Sequence, residues 1–112
     1  DANPGTWWSG VAGEVTNRAG EPVTDVTVRI SDSKGNVWET QPGDASIYGT
    51  EYTEFGRGTF GWWEQFLNVS CKQQIEVNVQ IIGSRTSSPV YKFKTSGNCD
   101  KNLVLVLVQK NF

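Results

Sequence analysis

Apolar and polar residues alternate along most of this chain, and the alternation fails in one place. Residues 103–108 read Leu-Val-Leu-Val-Leu-Val, six apolar residues in succession within an otherwise polar, glycine-rich sequence. Successive side chains of a strand point to opposite faces, so a strand with one wet face alternates. This one has no polar face, and something must cover the second.

The remaining pattern is of strands and turns. In residues 10–16, Val11 and Val15 share a face with the small Gly13 between them. Residues 17–22 are turn chemistry: Asn17 and Gly20 tolerate left-handed backbone, and Pro22 presets φ. Residues 25–31 alternate cleanly, with Val26, Val28 and Ile30 inward and Thr27, Arg29 and Ser31 outward. Residues 32–36 predict a hairpin into a short strand at 37–40. Residues 41–58 form a long, aromatic-bearing, partly acidic loop, with a brief strand near Tyr52. Residues 59–70 read as extended, and 74–82 as the clearest strand, with Ile75, Val77, Val79 and Ile81 on one face. A loop at 83–89, a strand at 90–95 and a turn at 96–102 lead to the last strand, 103–109. No stretch keeps a 3.6-residue period long enough for a helix. The prediction is an all-β, Ig-like or transthyretin-like antiparallel β-sandwich of about seven to eight strands.

Residues 11–31 carry a resemblance. A strand, a turn with Gly-x-Pro and an alternating valine strand, here Gly13, Gly20, Pro22, Val23, Val26 and Val28, resemble the opening hairpin of the carboxypeptidase regulatory-like, or transthyretin-like, domains. Residues 53–60 are weakly similar to the later turn of that family. The chain departs from the pattern in its long 41–58 loop, its tryptophan pairs and its cysteines. The resemblance implies a non-catalytic module of a secreted or surface protein.

At 112 residues the chain is expected to be one domain. Residues 1–8, too polar and rich in Pro and Gly to fold alone, are a separate N-terminal segment, an interface or donor strand, and residues 9–112 are the sandwich. A net charge of −2 offers nothing to attract nucleic acid or an anionic membrane. Six apolar residues in a row fall far short of the ~20 that span a bilayer as a helix. With no methionine, Asp1 is not a translation start, so processing or excision from a longer polypeptide is expected.

Cys71 and Cys99 are the only cysteines. In a small domain this pair reads as one disulfide rather than two buried thiols, which implies an extracellular or cell-surface location. The absence of histidine rules out Ser–His–Asp and Cys–His chemistry. Glu51, Glu54 and Glu64 flank aromatic residues, but a sandwich this small lacks the cleft a glycosidase pair needs. Asp44, Glu51 and Glu54 lack the spacing of a calcium loop. No enzyme, metal or cofactor is assigned.

The aromatic residues are the sharper signal. Trp7–Trp8 and Trp62–Trp63 are adjacent pairs, so in a strand one indole of each points to the core and the other away. Two readings follow. In the first, the outward side of residues 103–108 (Val104, Val106 and Val108 if the leucines face inward, or the reverse) joins Trp7 and Trp8 in an interface with other copies or neighbouring surface proteins. Sealing such a stripe would remove about 200 Å² of apolar surface, roughly 5 kcal/mol before ordering costs. The protein is then a self-assembling structural subunit of a filament or surface layer. In the second, Trp62, Trp63 and Trp38 stack on the sugar rings of a polysaccharide. Asn68-Val69-Ser70 is a candidate N-glycosylation sequon at Asn68.

Overall fold

The computed structural model of the chain describes residues 8–42, 62–99 and 103–111. Seven strands run through them: β1 (Trp8–Thr16), β2 (Thr27–Asp32), β3 (Val37–Thr40), β4 (Trp62–Ser70), β5 (Glu76–Ile82), β6 (Tyr91–Lys94) and β7 (Leu103–Gln109). They form two sheets, ordered β4-β1-β7 and β3-β2-β5-β6. The inner faces of both contribute to one core, so the fold is the predicted β-sandwich. The strand foreseen near Tyr52, most of the 41–58 loop and Trp7 lie outside the described residues.

Alternation builds the core. Val28 and Ile30 of β2 stand opposite Ile81 and Val79 of β5, and all four are fully buried. Val11 and Val15 of β1, Trp63 and Leu67 of β4 and Val108 of β7 complete the cluster from the other sheet. The outer face of the four-stranded sheet is polar, with Arg29 and Glu39 in a half-exposed ion pair at 2.8 Å.

Two turns fix the register of their strands. Asn17 Oδ1 accepts hydrogen bonds from the N–H groups of Ala19 (2.9 Å) and Glu21 (3.0 Å), which closes the turn after β1. In the β2–β3 hairpin, Asp32 Oδ1 accepts from the backbone of Lys34 (3.0 Å) and Asn36 (2.9 Å), and Oδ2 accepts from the Asn36 amide (2.9 Å). Gly35 takes φ +90 there, a conformation open to glycine at no steric cost. Burial pushes the Asp32 carboxyl pKa up. The Asn36 side chain, the two backbone donors and the Lys34 charge outweigh it and hold the group below its ordinary value.

Two expectations are corrected in detail. The sheets are not wholly antiparallel: β7 runs parallel to β1, with Val11 opposite Val104 and Val15 opposite Val108. The chain reaches β7 from β6, in the other sheet, so the connection is a crossover rather than a hairpin. The sandwich also begins at Trp8 rather than residue 9, because Trp8 is already paired with Ser70 of β4.

Candidate functional site

β7 is laid on β1 at one edge of the three-stranded sheet, and the register of that pairing decides which side chains reach the surface. Val104, Gly13 and Val11 share the inner side with Val106 and Val108, while Leu103, Leu105 and Leu107 stand beside Gly10, Ala12 and Glu14 on the outer side. Val108 is buried, and Val104 and Val106 pack against the core from a half-buried position. The valines named as an interface therefore face inward. The outward members are the leucines: Leu105 is 43% exposed and Leu107 62%.

Among the described residues, the outer face of this sheet is most exposed along β7. Within the single chain, Ala12 of β1 and its neighbour Glu64 of β4 are buried, and Glu14 nearly so. Among the described side chains of this face, Thr16, Phe66 and Ser70 are half-buried, and the fully exposed ones lie on β7. An open hollow of about 270 Å³, lined by Glu14, Thr16, Gly20, Leu107, Val108 and Gln109, lies at the end of the leucine row. A larger one of about 400 Å³ lies on the other sheet, where Val77 and Phe93 join the polar and charged Ser33, Glu76, Asn78, Lys92 and Lys94.

The disulfide frames the leucine row. Cys71 directly follows β4 and Cys99 shortly precedes β7, with their Cα atoms 4.9 Å apart. The bond therefore ties together the two strands that flank β1. Cys71 is buried, and Cys99 is partly so.

Two of the three candidate sugar-stacking residues point the wrong way. Trp63 is fully buried in the core, and its Nε1 finds no hydrogen-bond partner there. Trp38 stands opposite Ile30 and packs against the same core from the edge strand β3. The inward side of each strand is the one that buries an indole. The side chains of Trp8, Trp62 and Asn68 lie outside the described residues, as does all of Trp7. Glu51, Glu54 and Asp44 fall there too.

An apolar run with no polar face does not by itself say whether Leu105 and Leu107 or Val104, Val106 and Val108 face outward. β7 is free of charge from Leu103 to Gln109, unlike β6, with Lys92 and Lys94, or β3, with Glu39, which sets the strand apart without saying which of its sides faces outward. Among the described residues, no group of three or more acidic or cysteine side chains is placed to hold a metal ion, and no helix is long and apolar enough to cross a membrane. Comparison with protein-family models, with curated proteins and with solved structures finds no match to this chain.

Proposed function

We propose that this chain is a non-catalytic structural module of the cell surface or extracellular space, a β-sandwich that associates with copies of itself or with neighbouring surface proteins. The observation that carries this reading is the outward row of β7, where Leu105 and Leu107 stand side by side with open faces at a sheet edge. Exposed apolar rows on long edge strands invite pairing, and soluble domains usually blunt them.

The disulfide supports the location, since such bonds persist in oxidising compartments. The likeness of residues 11–31 to the opening of transthyretin-like domains supports a modular, non-catalytic role. A filament or surface layer follows if successive contacts are head-to-tail and do not close. Negative-stain images and light scattering of the untreated protein test the reading. Ordered polymers or discrete oligomers support it, and loss of those species in Leu105→Lys/Leu107→Lys assigns them to β7. Particles of one chain only, in both proteins, contradict it.

A further inference from the structure

Among the described strands, β7 has β1 on one side and no partner on the other. We infer that this free edge pairs with β7 of a second copy, antiparallel, about a two-fold axis through Val106. The inference rests on the assembly reading above and specifies its contact.

The first argument is charge. Edge strands that must stay single carry lysine, other charges or proline, or are kept short. The edge strands of the other sheet obey this: β6 is four residues long with Lys92 and Lys94, and β3 is four residues long with Glu39. β7 is seven residues long and carries no charge. Two such strands meet without opposing like charges.

The second argument is that β7 leaves apolar surface open on both faces. Leu105 and Leu107 are exposed outside, and Val104 and Val106 remain only half-buried inside. A ligand docked on the outer face covers one set. A strand added at the edge covers both.

The third argument identifies the partner. A strand that matches β7 must be apolar on both faces. β1 carries Glu14 and Thr16 on its outer side, and β5 carries Glu76, Asn78 and Gln80. Among the described strands, β7 alone meets the requirement, so its complement in this chain is another β7.

Backbone geometry sets the register. The N–H of Lys110 donates to the carbonyl of Thr16 at 2.6 Å. Even-numbered residues of β7 therefore aim their backbone groups at β1, and Leu103, Leu105, Leu107 and Gln109 aim theirs at the free edge. Placing Leu105 opposite Leu107 of the second copy, and Leu103 opposite its Gln109, pairs all seven residues and bonds every free-edge group. Val106 then faces Val106 of the second copy as a non-hydrogen-bonded pair, about 4.5 Å between Cα atoms. The contact is the same on both sides, so it closes as a dimer, and any longer assembly uses a second surface.

The test is a set of variants that each add one cysteine to the chain with its Cys71–Cys99 bond intact, under mild oxidation, with the oligomeric state measured in parallel. Val106→Cys is expected to give a covalent dimer, because that separation suits a disulfide. Leu105→Cys and Leu107→Cys, each offset from its own copy across the axis, are expected to link far less. Leu107→Lys alters an exposed side chain and is expected to raise the dimer dissociation constant about tenfold or more, with the melting temperature of the monomer kept. If the native chain associates but all these variants behave alike, the contact lies elsewhere; the inference fails and the assembly reading stands. If the native chain stays a single copy at every concentration, both fail. If removing residues 1–7 converts a monomer into a dimer, the chain's own N-terminal segment holds the edge, and the inference is overturned.

Discussion

Gly13 of β1 and Trp63 of β4 stand directly opposite each other on the inner face of the sheet, and the indole fills the space a side chain at position 13 would need. A Cβ at Gly13 would lie 2.7 Å from Trp63 Cζ2 and would collide with the carbonyl oxygen of Val106 on the other flank. One missing side chain thus lets the largest core residue lie across the central strand while β7 closes in from the opposite side.

Gly13→Ala is therefore expected to destabilise the fold by about 2–3 kcal/mol, since neither the backbone oxygen nor the buried ring can yield cheaply. Urea denaturation measures it. Pairing the change with Trp63→Phe should recover part of the loss, because the two residues share one volume and their effects do not add. Full additivity of the two costs would mean that the strain lies only against β7.

Asp32 makes the β2–β3 hairpin sensitive to acid. Asp32→Ala removes the acceptor for the Lys34 and Asn36 donors and should cost about 1–2 kcal/mol at neutral pH. Its folded pKa is depressed, so the carboxylate's extra contribution is fully present above the ordinary unfolded value, near pH 4. That contribution fades as the pH falls through the lower folded value. The stability gap between native chain and variant should thus be flat from neutrality to about pH 5 and narrow below about pH 4. A gap that widened on acidification would reverse the assigned sign.

The Cys71–Cys99 bond closes a sequence separation of 28 residues. Cys71→Ser/Cys99→Ser should lower stability by about 3.6 kcal/mol in the chain-entropy description. Because the bond anchors the approach to β7, amide exchange should rise first in residues 103–109, ahead of β2 and β5. Hydrogen exchange resolved by residue distinguishes this from a uniform loss.

Thr95 secures the start of β5 from the loop after β6. Its Oγ1 accepts from the N–H of Ile75 at 2.9 Å and donates to the carbonyl of Gln73 at 3.2 Å. Thr95→Val keeps the shape but leaves a buried N–H unbonded, with an expected cost of about 1–3 kcal/mol by thermal unfolding. An unchanged melting temperature would show that water replaces the hydroxyl.

These particulars also explain what the sequence made legible. β2 and β5 could be placed, with their inward residues, because Val28 and Ile30, and Val77, Val79 and Ile81, alternate with polar neighbours that fix the phase. The 32–36 hairpin was legible from Asp32 and Gly35, whose chemistry is local. The last strand was not: with both faces apolar, a period of two carries no phase, and only the pairing of Val104 and Val108 with Val11 and Val15 turns the leucines outward. That pairing joins residues more than ninety positions apart and runs parallel, which no local pattern announces. Trp38 misled for a related reason. Its strand is four residues long and begins with the exposed Val37, so the pattern alone did not say which of the two was inward.

The most direct test of self-association is the mass of the untreated chain in solution as its concentration is raised, by sedimentation velocity. The account predicts a reversible shift from 12.4 kDa to twice that mass or more, abolished in Leu105→Lys/Leu107→Lys. A species of 12.4 kDa at every concentration, with the leucines left in place, would contradict it.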